Sequence, residues 1–245
     1  MMGKIGNALM LAAAALAGAG GAILAQRGPA GDRAATETVV RDYILANPEI
    51  LPEAMRRLQA KEAGKAVAAN RTAIVEPFPG AIAGNPNGDV SVVAYLDYAC
   101  GFCRASLPAI TGLIASDPNV RIVYRELPIL SPDSRTAAEW ALAAALQNKF
   151  KPFHDALYAS GRVDTAAIEQ AAASAGLDIA AARTAIRSPQ IVAEIERNMK
   201  TAGTLGFTGT PSWVVGDQVL SGAQTLPALQ TAVTDARKAK TAPAT

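Results

Sequence analysis

The sequence holds only two cysteines, one histidine and 5% aromatic residues among its 245 positions, and it gathers charge of neither sign into a block. Each shortage removes a class of function. A structural zinc site takes about four nitrogen or sulfur ligands. Cys100, Cys103 and His154 are too few, with no second cysteine pair and with His154 set inside a helical stretch. The 23 Lys and Arg against 21 Asp and Glu leave a net charge of +2, spread along the chain with no basic run interleaved with aromatics, so nucleic acid is not an expected partner. No internal repeat is present. What the chain does have is apolar mass: 50% hydrophobic against 18% charged residues, enough to bury a full core and to exclude a disordered chain.

The first 25 residues pair Lys4 with an uncharged run rich in Ala, Leu and Gly from Ile5 to Gln26. This is the charge and hydropathy pattern of a secretory signal. Cleavage near Ala25 is weakly marked, because Ile23 stands where a small residue is usual. The alternative reading is an uncleaved anchor, since about 20 apolar residues can span a bilayer. Either reading places the remainder outside the cytoplasm, in the cell envelope or periplasm, where a disulfide can persist. Residues 26–35, with Gly28, Pro29 and Gly31, read as a linker. Residues 36–72 read as a helical arm: Val39, Val40, Tyr43 and Ile44 share a helix face, Pro48 interrupts, and Ile50, Leu51, Met55 and Leu58 continue the stripe. An apolar stripe on such short helices must pack on the main domain or on another copy, so residues 36–70 are the expected site of homo-oligomerisation.

Residues 73–238 read as one α/β domain. Asn85-Pro86-Asn87-Gly88-Asp89 is a dense turn signal, and Val90 to Leu96 is the near-continuous apolar run of a buried central strand. Leu107, Ile110, Leu113 and Ile114 then recur at helical spacing, and a second strand is expected over Val120 to Tyr124. Strand, helix, strand is a parallel crossover. From Ser131 to about Leu205 the pattern is helical throughout, an insertion in the sheet. Ser212–Val215 and Gln218–Leu220 are expected strands around the Gly216-Asp217 turn, a last helix starts near Thr225, and residues 239–245 read as a flexible tail.

The two cysteines stand two residues apart where the buried strand meets a helix. At a helix start, unpaired backbone N–H groups and the positive end of the dipole favour a thiolate, and cysteines so placed show pKa values of about 3.5–7.5. Cys100 is therefore the candidate nucleophile. Cys103, one turn on and directed back towards the same end, is the candidate resolving thiol. Other readings of the pair stay open. A structural disulfide would close a very small loop and stabilise little, while a Cu(I) ion could take both thiolates. Exchange itself calls for no cofactor. Trp140, Trp213 and His154, the last flanked by Phe150, Phe153 and Leu157, read as packed core positions.

Four segments in order then carry a resemblance. They are Asp97-Tyr98-Ala99-Cys100-Gly101-Phe102-Cys103, Arg125-Glu126-Leu127-Pro128-Ile129-Leu130, Phe153-His154-Asp155-Ala156-Leu157-Tyr158 and Gly206-Phe207-Thr208-Gly209-Thr210-Pro211-Ser212. Together they resemble the DsbA-like branch of the thioredoxin superfamily, over about Thr36 to Ala232. Ile44-Leu45-Ala46-Asn47-Pro48-Glu49-Ile50 resembles the arm of the copper-sensitivity suppressor C and Com1-like subgroup, which makes trimers in some relatives.

The resemblance implies a thioredoxin-like fold with an inserted helical domain and an N-terminal helical arm. It implies thiol-disulfide exchange with unfolded or misoxidised exported proteins, and a membrane thiol-redox partner. It also implies that Thr210-Pro211 is a cis-proline loop facing the cysteines and pairing with substrate backbone.

Two departures qualify it. The dipeptide Gly101-Phe102 lacks the Pro-His of strong oxidases, which points towards isomerase or reductase work and a less oxidising couple, with a DsbA-like oxidase as the rival. Many relatives carry an acid six residues before the first cysteine as a proton relay, where this chain has Ala94. Asp97 is expected to point elsewhere, which leaves water or Glu126 for proton transfer, the competing reading of Glu126 being a surface residue at a strand end.

Overall fold

The structure, a computed structural model, describes residues 29–241; the expected signal or anchor over residues 1–25 lies outside them. These residues divide into two compact units, one ending at Leu58 and the other beginning at Gln59. In the first unit, α1 (Pro29–Ala46) and the beginning of α2 (Ile50–Ala69) are separated by a turn at Asn47 to Glu49. The linker expected over residues 26–35 is thus helical from Pro29 onward. Proline's missing N–H costs nothing in a first turn, and the Ala-rich run behind it outweighs the roughly 1 kcal/mol cost of Gly31. Val39, Tyr43, Leu51, Met55 and Leu58 are all more than half exposed. Among the described residues no helix is long and apolar enough to cross a membrane.

The second unit continues through α3 (Arg71–Val75), β1 (Ile82–Gly84), β2 (Val90–Leu96), α4 (Gly101–Ser116) and β3 (Val120–Glu126). Five helices follow: α5 (Pro132–Leu146), α6 (Phe150–Ser160), α7 (Thr165–Ser174), α8 (Ile179–Ala185) and α9 (Pro189–Thr204). The chain closes with β4 (Ser212–Val215), β5 (Gln218–Ser221) and α10 (Leu226–Thr241). The sheet order is β1-β3-β2-β4-β5. β2 and β3 are parallel through the α4 crossover, and every other pair is antiparallel. Within the insertion, Ser131, Asp164, Asp178 and Ser188 cap the helices that follow them, each side chain accepting a backbone N–H, so the polar residues between helical runs serve as start signals. Gly216 takes φ 61° in the β4–β5 turn, where glycine carries no steric cost.

Strand residues alternate between two buried faces, which explains why β2 reads as one unbroken apolar run. Val92, Ala94 and Leu96 join the main core with Cys103 and Leu113, while Val93 and Tyr95 join a second cluster with Ile74, Ala202 and Leu205. β3 follows the same alternation and extends two residues past the expected end at Tyr124. Its terminal pair is charged yet buried, which hid it from a hydropathy reading. Arg125 turns to the second face, where its Nη1 donates to Glu194 at 2.6 Å and its Nη2 to the carbonyl of Ile74 at 3.0 Å. Burial on this scale requires such partners.

One strand is added and one further expectation is corrected. β1 was not foreseen: three residues paired antiparallel to β3 are too short to show a period. The flexible tail expected from residue 239 is helical through Thr241, because Arg237 reaches Asp89 at 2.8 Å and Asp117 at 2.6 Å while Lys240 donates to the Asp89 carbonyl, fastening the last helix to the start of β2. Trp140 and Trp213 are core residues at 5% and 0% exposure.

Candidate active site

β2 ends at Leu96 and three residues turn the chain into α4. Cys100 is the N-cap of that helix, with extended backbone angles and its sulfur accepting the Cys103 N–H at 3.4 Å. Helix N-termini have donors to spare, and here one of them addresses sulfur. On its other side the Cys100 thiol donates to the carbonyl oxygen of Thr210 at 3.2 Å, and the Thr210–Pro211 peptide bond is cis. The structure therefore brings the cysteine motif and the distant Thr210-Pro211 segment together. Both thiols are free. Cys100 is 7% exposed and Cys103 fully buried, while open space surrounds Gly101 and Phe102 stands 70% exposed between them.

Burial pushes the Cys103 thiol far above the ordinary thiol range; a hydrogen bond from the Asp97 backbone and the nearby Thr210 hydroxyl pull in the opposite direction. That hydroxyl is itself buried and makes no well-formed hydrogen bond.

Asp97 points away from the cysteines, as expected, and holds the loop together. Its carboxylate accepts the N–H groups of Ala99 at 2.8 Å, Ile129 at 2.9 Å and Leu130 at 3.0 Å. Its carbonyl accepts the Cys100 N–H and the Tyr158 hydroxyl, each at 3.0 Å.

Glu126 is not the surface residue of the competing reading. It is 2% exposed, pairs with Leu96 in the sheet, and by strand alternation shares the core face of Tyr124 and Ala94. Burial drives its carboxyl well above the usual range, opposed by a hydrogen bond from Tyr98. The Tyr98 hydroxyl bridges Glu126 at 3.3 Å and His154 Nδ1 at 3.0 Å. His154 is 1% exposed among Tyr98, Tyr124, Phe150 and Tyr158 rings, and burial lowers its pKa to about 3. Glu126 Oε2 and His154 Nε2 have no hydrogen-bond partner. Sequence reading missed Tyr98 and Tyr158 as polar members of this layer: aromatic residues at helical spacing signal core and say nothing of where a hydroxyl lands. Among the described residues no cluster of three or more His, Cys, Asp or Glu could hold a metal ion.

Residues 91–234, more than half of the chain, match the family described as a DSBA-like thioredoxin domain, and residues 32–65 match the copper resistance protein ScsC N-terminal domain. A thioredoxin-like oxidoreductase from Silicibacter pomeroyi DSS-3 is 43% identical with a TM-score of 0.66, over 69% of this chain and 98% of that one. The thiol-disulfide exchange protein alpha-DsbA2 from Wolbachia pipientis is 27% identical with a TM-score of 0.67, over 73% and 97%. A linker-deletion mutant of Proteus mirabilis ScsC, 24% identical with a TM-score of 0.68 over 87% and 98%, shares the fold. Among curated proteins, the Na(+)/H(+) antiporter NhaA 1 of Salinispora arenicola is 31% identical over 165 residues, 66% of this chain but 25% of that protein, so the chain spans about a quarter of its length. With its cysteine pair at a strand-to-helix junction and its sheet interrupted by a helical insertion, the chain belongs to the DSBA-like thioredoxin domain family and carries, at residues 32–65, a segment similar to the ScsC N-terminal domain.

Proposed function

We propose that the protein exchanges disulfides with unfolded or misoxidised exported proteins in the bacterial cell envelope, Cys100 attacking and Cys103 resolving. One observation carries this reading: the Cys100 sulfur lies between the N–H of Cys103 and the carbonyl of Thr210. A backbone donor there supports an anion, and the carbonyl before Pro211 offers an acceptor edge to an incoming extended chain. Attack of the Cys100 thiolate on a substrate disulfide forms the mixed disulfide and expels one substrate thiolate. Cys103 then attacks Cys100, forming the intramolecular disulfide and releasing the second. The reverse sequence oxidises a substrate dithiol. Gly101-Phe102 and Thr210 favour isomerase or reductase work over dedicated oxidation, and the membrane partner would then be a thiol reductase. Purified protein reactivates a scrambled disulfide substrate, and Cys100→Ser abolishes this; full activity in that variant overturns the reading.

Glu126 is the proposed proton relay. Its burial and its place on the cysteine side of the sheet support that role, with Tyr98 and His154 as its neighbours. The exposed apolar side chains of α1 and α2 support homo-oligomerisation through residues 36–70, which would place several cysteine pairs around one substrate. Deleting residues 29–58 should then reduce the particle to a monomer by light scattering.

The match to a copper resistance N-terminal domain favours one alternative, in which the two thiolates hold Cu(I). Anaerobic Cu(I) titration of the reduced protein tests it, and failure to bind removes it.

A further inference from the structure

The exchange just proposed needs a substrate chain to run past Cys100, and the helix that Cys100 opens borders a groove. On α4, Arg104, Leu107 and Pro108 are spaced three and four residues apart and share one face. Across from them stand Asp155, Tyr158 and Ala159 on α6, spaced the same way, and an open groove of about 600 Å³ lies between the two rows. Its floor is apolar and its ends are charged. Arg104 stands at the end nearer the nucleophile, its backbone N–H donating to the Cys100 carbonyl at 3.1 Å. The exposed guanidinium lies over Gly161, the C-cap of α6, where a Cβ would come within 2.7 Å of Nη1. The carbonyl end of a helix favours a cation, yet this side chain forms no hydrogen bond or ion pair with any described residue. Asp155 lies further back on α6, about 9 Å from Gly161 along the helix, and accepts from Lys151. The near end of the groove therefore carries a positive charge that nothing in the fold neutralises.

We infer that this groove holds the substrate segment beside the attacked cysteine, and that Arg104 selects segments with a carboxylate about two residues from that cysteine. The inference rests on the exchange reading above and narrows its substrates. The rise from Cys100 to Arg104 is about 6 Å along the helix, a distance that an extended chain covers in about two residues. A guanidinium presents a planar fork of donors that matches a carboxylate, and this one has no internal carboxylate to give up. Beyond it, Leu107, Pro108 and the Tyr158 ring offer apolar surface to the side chain that follows the acid. The Tyr158 hydroxyl is held by the Asp97 carbonyl at 3.0 Å, so that wall of the groove is fixed. Arg104 acts on substrate binding and takes no part in the thiol chemistry.

Disulfide-bonded peptides with Glu, Gln or Lys two residues from one cysteine test this with the full chain. At low ionic strength the Glu peptide should exceed the Gln peptide about fivefold in kcat/KM, the difference lying in KM, which is the scale of an exposed ion pair. Raising the salt to about 1 M should erase the difference. In Arg104→Gln the Glu-to-Gln ratio should fall to about one, and in Arg104→Glu the Lys peptide should become the preferred substrate. Arg187→Gln removes an exposed charge from the helical insertion and should leave the ratio intact. Equal kcat/KM for the Glu and Gln peptides in wild type, or a ratio that survives Arg104→Gln, overturns the proposal. A ratio that survives moving the Glu to roughly six residues from the cysteine also overturns it, because attraction to net charge then replaces a contact in the groove. Retained exchange in Cys100→Ser overturns the reading beneath it, so the two failures are distinguishable.

Discussion

The thiol of Cys100 rests against the carbonyl oxygen of Thr210, 3.2 Å away, although 110 positions separate the two in sequence. The contact turns the sulfur towards the backbone of the cis Thr210–Pro211 segment. It also divides the two cysteines. Cys100 faces this edge and the surface, while Cys103 lies behind it with no exposed area.

Native alkylation should therefore modify Cys100 and spare Cys103. Brief treatment with iodoacetamide followed by peptide mass spectrometry checks this, and modification of both at similar rates would contradict the assigned roles. Cys103→Ser should accumulate a mixed disulfide at Cys100 with peptide substrates, because nothing remains to resolve it.

Thr210→Val should stabilise the protein and slow it. The Thr210 hydroxyl is buried without a well-formed partner, so replacing it with a methyl group removes an unsatisfied polar atom, worth about 1 kcal/mol of stability. The same hydroxyl favours the Cys103 anion, so its loss raises the barrier to exchange. Urea midpoints and exchange rates measured together should move in opposite directions.

Glu194→Ala should cost about 3–5 kcal/mol, since it strips the carboxylate from a guanidinium whose side chain is fully buried. The carbonyls of Ala73, Ile74 and Glu76 remain for Arg125 but bring no countercharge. Converting both residues, Arg125→Met with Glu194→Leu, should cost less than the single change, as denaturant unfolding will show.

Two buried groups should bend the pH dependence of stability in opposite senses. Glu126 keeps in the folded state a proton that the unfolded chain releases near the usual value of 4.5. Its contribution therefore declines as pH rises from about there towards its raised folded-state value. His154, lowered from 6.5 to about 3, refuses in the folded state a proton that the unfolded chain accepts. Its contribution is whole above about 6.5 and is lost as pH falls towards 3. Relative to wild type, Glu126→Gln should gain stability with rising pH above the ordinary carboxylate range, and His154→Gln should lose its acid sensitivity below 6.5. Urea unfolding across a pH series checks both, and curves parallel to wild type would refute the protonation states.

Local rules determined a good deal of this protein. An apolar run with Cys100 at its end and helical spacing beyond it needs only the periods of strand and helix to place a sulfur at a helix start. Punctuation by Ser131, Asp164, Asp178 and Ser188 likewise needs only side chain and neighbouring backbone to open four of the five inserted helices. Tertiary structure decided the rest, because the deciding contacts join residues far apart: Thr210 with Cys100 across 110 positions, Tyr158 with Asp97 across 61, Tyr98 with Glu126 across 28. Burial of Arg125 and Glu126 could not be read from charge, since a charged side chain is buried only when the fold delivers its partners, and those partners lie on other elements.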